Sequence, residues 1–178
     1  DFPHYFASYD NDPTKAPVLH IEYDPALVDD DACVRRTVAL QISESIDDAE
    51  ETLTRAGIAN DNNVFIDSNT LELTTNSSAE GGNTGQTIRE VGLRFRNVGI
   101  GKGNTIINAE LNLTAKEYSH CATIPCGENA EDGYAATETS APALTIQGEA
   151  SAAEFESVIG NLSGRTKVGT MSWTPEDV

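Results

Sequence analysis

The segment SYDNDPTKAPVLHIEY, residues 8–23, decides the predicted fold of this chain. Its first half is a turn cluster of Asp, Asn and Pro residues. Its second half, VLHIEY, is a β-branched and aromatic run that predicts a short strand. Further strand patterns follow and end at Trp173, shortly before Pro175. We therefore expect a β-structure in which this first strand completes a sheet, either in its own unit or in a neighbouring one.

Composition and charge favour a β-rich protein and disfavour nucleic acid and anionic lipid surfaces as partners. The 178 residues include 29 Asp and Glu but only 11 Lys and Arg, a formal net charge of -18, which would repel nucleic acid and anionic lipid surfaces. Hydrophobic residues make up only 38% of the chain, and Asn, Thr, Ser and Gly are abundant, a mixture that suits short strands joined by polar turns. No stretch approaches the ~20 apolar residues of a membrane span. We predict one domain with no membrane span and no nucleic-acid partner.

Alternation of apolar and polar residues predicts about seven or eight short strands. The clearest pair covers residues 91–95 and 107–113. Apolar residues at helical spacing within residues 152–162 predict one short helix or turn. This pattern is typical of an all-β fold, and we expect a jelly-roll-like β-sandwich with at most one short helix.

The cysteines point to an oxidising, extracellular or cell-surface setting. Cys121 and Cys126 enclose a short loop that contains Pro125, and this spacing predicts a structural disulfide. The third cysteine, Cys33, is distant in sequence and the three histidines are scattered, so the pattern does not favour a zinc site.

Two acidic segments are candidate metal sites. Hard cations such as calcium need several carboxylate and carbonyl oxygens that converge from a bent loop, and residues 47–51 and 10–12 are rich in carboxylates. The loop glycine and regular spacing of an EF-hand are absent, and a solvated turn is the alternative interpretation. The candidate calcium ligands are Asp47, Asp48, Glu50, Glu51, Asp10 and Asp12.

No residue pattern predicts catalysis. A Ser-His-Asp or Cys-His arrangement cannot be assigned, and a pair of carboxylates carries no information in a chain with 29 acidic residues. Three triplets match the acceptor pattern for Asn glycosylation and begin at Asn76, Asn112 and Asn161, although such triplets also arise by chance in Asn- and Ser-rich chains.

A succession of short motifs resembles a known family. The motifs, in chain order, are DDAEE (47–51), LEL (71–73), VGLRFRNVGI (91–100), IINAELNLTA (106–115), LTIQGE (144–149) and MSWTP (171–175). Their order is similar to that of DNRLRE-type modules of large secreted bacterial surface proteins. The resemblance covers residues 38–175, and separately residues 8–23, which look like the end of such a module. It implies a jelly-roll sandwich, and some of these modules bind carbohydrate.

The order of the segments departs from that family, because the strand at residues 18–23 precedes the sandwich instead of following it. We therefore expect two parts: residues 1–30, an N-terminal strand segment, and residues 31–178, the sandwich body. Three explanations remain open: a fragment of a tandem array, a permuted module whose strand folds back, or a strand donated to a neighbouring subunit. The candidate partner-docking residues are Val18, Leu19, His20, Ile21, Glu22 and Tyr23.

These observations predict a non-catalytic, extracellular structural or adhesive subunit of a bacterial surface assembly such as a filament, with units joined end to end by strand complementation. The alternative is a carbohydrate-binding module that holds a polysaccharide through exposed aromatic residues, such as Tyr5 and Tyr9, or through calcium.

Overall fold

The computed structural model describes residues 5–26, 34–54, 63–73, 87–115, 144–149 and 153–173. Within these ranges about half of the residues lie in strands, and the fold is all-β and sandwich-like, as the sequence predicts. The only helical elements among the described residues are two 3-10 turns, Pro13–Lys15 and Ser45–Asp47. The described residues also contain no helix of the length and apolarity that a membrane crossing needs. The strands are β1 (Tyr5–Ala7), β2 (Val18–Asp24), β3 (Arg36–Gln41), β4 (Asp48–Thr54), β5 (Val64–Phe65), β6 (Thr70–Glu72), β7 (Thr87–Leu93), β8 (Thr105–Asn112), β9 (Leu144–Glu149) and β10 (Lys167–Trp173).

Strand β2 is the central strand of a three-stranded antiparallel sheet with the order β3-β2-β8. His20 lies opposite Ala39 on one side and Glu110 on the other, and Ile21 lies opposite Val38 and Ala109. Because side chains alternate along a strand, this register places polar residues on one face and the more apolar residues on the other. The run VLHIEY is therefore hydrogen-bonded along both edges within its own chain.

Strand β4 is the centre of a second three-stranded sheet, with the order β5-β4-β7. It begins at Asp48, so most of the acidic segment at residues 47–51 is an extended strand. The prediction of a bent loop or solvated turn in this segment, made from its charge, is therefore wrong. The sequence pattern fails at this point because the carboxylates are compensated by residues that are distant in sequence.

Two smaller pairs complete the described strands. Strand β1 pairs with β6, and Phe6 also forms a bridge with Ala115, just beyond the end of β8. Strands β9 and β10 form a separate antiparallel ribbon, whose register shifts between Val168 and Met171. Gly169, within this irregularity, has a φ of 66°, a conformation that glycine adopts without a Cβ penalty.

A small apolar cluster lies between β4 and residues 153–166. It contains Ala49, Val64, Phe155 and Leu162. The adjoining backbone of Gly92 approaches it so closely that an added Cβ would lie 2.7 Å from Phe155 Cζ. Gly92 is therefore needed for this packing.

Residues 153–164 form irregular structure and turns, so the apolar spacing there corresponds to the predicted turn and not to a helix. Gly160 has a φ of 75°, which interrupts helical geometry. The backbone N–H groups of Leu162 and Ser163 donate to the side chain of Glu51, so they are satisfied outside any helix.

Candidate functional site

The most unusual feature of the structure is a row of four buried carboxylates at the start of β4. The exposed fractions of Asp47, Asp48, Glu50 and Glu51 are 0%, 2%, 5% and 0%. Burial of an ionised carboxylate costs several kcal/mol unless hydrogen bonds or opposite charges compensate it. The hydrogen-bond and ion-pair partners of each carboxylate therefore show how its burial is compensated and which segment it binds.

Asp47 is compensated by two arginines that follow β7. Arg94 Nε donates to Asp47 Oδ1 at 2.6 Å, and Arg96 Nε lies 2.7 Å from Asp47 Oδ2. The Arg94 N–H also donates to the backbone carbonyl of Asp47 at 2.7 Å. The hydrogen bond that Arg96 donates to Asp47 is the main cause that raises the pKa of Arg96, and the charge of Glu44, 2.8 Å from Arg96 Nη2, adds to the rise. Asp47 thus fixes the segment after β7 to the start of β4.

Asp48 binds the N-terminal segment. Its Oδ2 accepts a hydrogen bond from the backbone N–H of Tyr9 at 2.8 Å. Burial raises the pKa of Asp48 to about 6, and the neighbouring carboxylates of Asp10 and Asp47 add to the rise, whereas the Tyr9 hydrogen bond opposes it. Asp10 itself accepts a hydrogen bond from Ser45 Oγ. This corner of the molecule therefore holds residues 8–12 through one buried and one exposed carboxylate.

Glu50 binds β6 and the turn before it. Its Oε2 accepts from the backbone N–H of Glu72 at 3.1 Å, and its Oε1 accepts from Ser68 Oγ at 3.4 Å. Arg89 on β7 lies 3.7 Å from Glu50 and 3.0 Å from Glu72, so it counters both charges. Burial raises the pKa of Glu50, and the hydrogen bond from Glu72 and the charge of Arg89 oppose that rise.

Glu51 projects to the opposite face of β4 and binds residues 162–163. The backbone N–H groups of Leu162 and Ser163 each donate to Glu51 Oε2 at 2.8 Å, and Ser163 Oγ donates to Oε1 at 2.7 Å. Three hydrogen bonds to one carboxylate are a strong arrangement because each is charge-assisted.

Arg165 holds the same loop from the other side. Its guanidinium lies 4.6 Å from the ring centroid of Phe155, and it donates to the carbonyl oxygens of Ala153, Glu154 and Asn161 at 2.9, 2.6 and 2.8 Å. It also donates to Glu149 on β9 at 2.9 Å. Residues 153–165 are therefore fixed by polar contacts from two directions.

An open cavity of about 500 Å³ lies beside this loop and is lined by Glu149, Ala153, Gly160, Asn161, Gly164, Arg165 and Thr166.

The structure does not join the six predicted calcium ligands in one site. The four carboxylates at residues 47–51 bind four different segments, and Asp12 caps the first 3-10 turn by accepting from the Thr14 N–H at 3.0 Å. In the ranges that the structure describes, no group of three or more His, Cys, Asp or Glu side chains is placed to hold a metal ion. Calcium binding stays a prediction, and at these residues it would require the carboxylates to exchange their present partners.

The predicted docking strand, residues 18–23, lies within the β3-β2-β8 sheet of its own chain. Its docking on a neighbouring unit stays a prediction. The polar face of this sheet forms an open groove of about 270 Å³, and its lining residues are His20, Ile21, Glu22, Thr37, Asn108, Glu110 and Asn112. The predicted disulfide partners, Cys121 and Cys126, lie outside the described residues, as does Cys33.

Sequence reasoning missed the three arginines that compensate the buried acids. Arg94 and Arg96 alternate with apolar residues, a pattern that by itself favours exposure to solvent, and nothing in the sequence around Arg89 indicates a buried ion pair. The one usable signal is numerical: three of the few basic residues lie within eight positions, at Arg89, Arg94 and Arg96, after a strongly acidic segment.

Comparison with protein-family models, with curated proteins and with solved structures finds no match to this chain.

Proposed function

We propose that this chain is a non-catalytic, extracellular structural or adhesive β-sandwich unit of a bacterial surface assembly, joined to its neighbours by exchange of its N-terminal strand. The observation that carries the proposal is the use of the buried carboxylates. Each of the four on β4 or just before it fixes a different segment: residues 94–96, Tyr9, β6 and residues 162–163. Such an arrangement supports a role in mechanical or structural integrity.

The same observation speaks against acid-base catalysis by these carboxylates. A general acid or base must reach a substrate, whereas Asp47 and Glu51 are fully buried and hydrogen-bonded to arginine or backbone groups. Their partners are those of structural residues.

The proposed joint uses contacts that the chain already makes. Strand β2 fills the gap between β3 and β8, and β1 pairs with β6, so the N-terminal segment of one unit contributes strands to the body. The same pairs can form between chains when two units exchange this segment, because the exchanged element meets an identical surface. No new interface is required for end-to-end joining.

A disulfide trap tests the joint. Glu22 and Thr37 are direct partners across β2 and β3, and facing residues of an antiparallel pair are close enough for a disulfide. The double variant Glu22→Cys with Thr37→Cys is expressed in the native host at its natural level, and its assemblies are purified. If strands are exchanged between chains, we expect a ladder of covalent oligomers on a non-reducing gel. The wild type and the two single variants are the controls, since the chain has three cysteines of its own.

A crosslink that forms only within single chains, together with a monomeric mass by light scattering over a wide range of concentrations, would refute strand exchange. A ladder that also appears in the single variants would assign the crosslinks to the native cysteines and would equally remove support for the joint.

Carbohydrate binding is the second candidate, and the polar groove on the β3-β2-β8 sheet favours it. Imidazole, amide and carboxylate groups on one face, including His20, Asn108 and Glu110, can donate and accept hydrogen bonds with sugar hydroxyls. Tyr5 and Tyr9, the aromatic residues expected to stack on a sugar, are half-buried. Binding on a glycan array that is lost in Asn108→Ala and kept in Ser172→Ala, an exposed position on β10, would support this candidate.

A further inference from the structure

We infer that Asn112 is a glycosylation site of the native protein and that Asn161 is not, although both begin an Asn-Leu-Ser/Thr triplet. The inference rests on the proposed extracellular location. The attached group is an oligosaccharide, a bulky and hydrophilic modification that a folded protein tolerates only where the asparagine reaches solvent.

The first triplet presents its two reactive positions to solvent. Asn112 is the last residue of β8, and Ala115, three residues further on, forms a bridge with Phe6. Asn112 and Thr114 are both exposed, whereas Leu113 between them is half-buried. This alternation of exposure leaves both the amide and the hydroxyl accessible from solvent. The backbone is fixed there, because the Ala7 N–H donates to the Thr114 carbonyl at 2.9 Å.

The second triplet uses the same two positions for internal contacts. Asn161 Oδ1 accepts from the Glu156 N–H at 3.2 Å and from Arg165 Nη2 at 2.9 Å. Ser163 Oγ donates to the buried Glu51 at 2.7 Å. A glycan on Asn161 would disturb the contacts that close residues 153–165, so this triplet serves the fold.

Space and polarity around Asn112 also suit a sugar. Asn112 lines the groove of about 270 Å³ on the polar face of the β3-β2-β8 sheet, together with His20 and Asn108. The first sugar residue of an attached chain would lie over these hydrogen-bonding side chains instead of over apolar surface.

The modification requires a transferase and a lipid-diphosphate-linked oligosaccharide as the second substrate. The Nδ2 atom of Asn112 forms a bond to the anomeric carbon of the sugar, and the bond between that carbon and the diphosphate oxygen breaks. The lipid diphosphate leaves with the bonding electron pair, and the amide proton passes to a base on the transferase. No oxidant or reductant is needed.

Peptide mapping of the protein from its native source tests the inference. Trypsin cuts after Lys102 and Lys116 and releases residues 103–116, in which Asn112 begins the only matching triplet, while residues 117–165 carry Asn161. We expect the first peptide mainly at the mass of a glycopeptide, with sugar fragment ions, and the second at its unmodified mass. In the native host, Thr114→Ala should give only the unmodified first peptide, and the matched variant Thr114→Ser should keep the modification.

An unmodified peptide 103–116 in protein recovered from the cell surface would overturn this inference and leave the proposed function intact. Unmodified protein found only in the cytoplasm would overturn both. A modification that persists in Thr114→Ala would also overturn the assignment, since the hydroxyl at that position would then be unnecessary. Circular dichroism of each variant checks that it has folded, and the Thr114→Ser variant keeps the test valid if Thr114→Ala does not fold.

Discussion

Glu51 on β4 accepts a 2.8 Å hydrogen bond from the backbone N–H of Leu162, which lies 111 positions further along the chain. Both residues are buried, with exposed fractions of 0% and 1%. A buried amide that loses its partner carries the full cost of its desolvation. The contact therefore connects two distant parts of the chain through a hydrogen bond that water cannot replace.

Removal of the Glu51 side chain should strongly destabilise the fold. Glu51→Ala leaves the N–H groups of Leu162 and Ser163 without their acceptor and creates a cavity, so we expect the free energy of unfolding to fall by roughly 3 kcal/mol or more. Glu51→Gln keeps a carbonyl oxygen as acceptor and should cost roughly 1–2 kcal/mol. Urea denaturation followed by circular dichroism measures both.

The matched control is Glu156→Gln, an exposed acidic position in the same loop. It should change the free energy of unfolding by less than about 0.5 kcal/mol. Equal losses in the Glu51 and Glu156 variants would show that the hydrogen bonds of Glu51 do not hold the loop.

The stability of the protein should depend on pH through Asp48. Its pKa is raised from 3.8 to about 6 in the folded state, mainly by burial. A carboxyl group with a raised pKa favours folding when it is protonated. Its contribution is therefore complete below about pH 4 and is lost as the pH rises through 6. The pKa difference corresponds to a loss of about 1–3 kcal/mol at neutral pH.

The variant Asp48→Asn isolates this effect because asparagine resembles the protonated acid and keeps an acceptor for the Tyr9 N–H. We expect it to be more stable than the wild type at pH 7, by about 1–3 kcal/mol, and equal to it near pH 4. Other groups titrate in both proteins, so the difference between the two pH profiles is the informative quantity. A difference that does not change between pH 4 and pH 7 would contradict the raised pKa.

The strands that alternate strictly could be predicted from the sequence. Residues 107–113 predicted most of β8 and the run VLHIEY predicted β2, because side-chain period and β-propensity are local properties. The strand predicted at residues 91–95 overlaps only the last three residues of β7, which begins earlier, at Thr87. The all-β class followed from these elements. The apolar spacing within residues 152–162 allowed either a short helix or a turn, and the structure has turns there.

The carboxylate row at β4 could not be predicted for a physical reason. Local sequence shows charge, and charge usually means exposure. The burial of Glu51 depends on N–H groups more than 100 positions away, and that of Asp47 depends on Arg94, 47 positions away. Compensation of this kind is decided by tertiary structure and leaves no local pattern.

Gly92 should tolerate no side chain. A Cβ at this position would lie 2.7 and 2.8 Å from two ring atoms of Phe155 and 3.1 Å from Leu162 Cδ2. Overpacking of this kind should make Gly92→Ala less stable by about 1–3 kcal/mol in thermal or urea unfolding. Gly101→Ala is the control, because the nearest atom there, Asn104 Nδ2, is 3.8 Å from the added Cβ.

The direct cause can be separated from a general effect of glycine replacement. Phe155→Leu removes the ring that would clash, so the loss in the double variant Gly92→Ala with Phe155→Leu should be smaller than the sum of the two single losses. Additive losses would mean that the ring is not the obstacle.

The net charge of -18 should make the stability depend on cations. Repulsion among unpaired acidic side chains destabilises the compact state, and salt screens it over a distance of about 10 Å at 0.1 M. We expect the melting temperature to rise by several degrees between ~0.02 M and ~0.5 M NaCl. Sucrose at equal osmolality is the control for solvent effects.

Because the acids at β4 are already bound to protein groups, CaCl₂ at matched ionic strength should raise the melting temperature no more than MgCl₂ does. A calcium-specific increase that disappears in Asp48→Asn would instead establish the calcium site predicted from the sequence, and a melting temperature that falls with NaCl would show that ion pairs outweigh the repulsion.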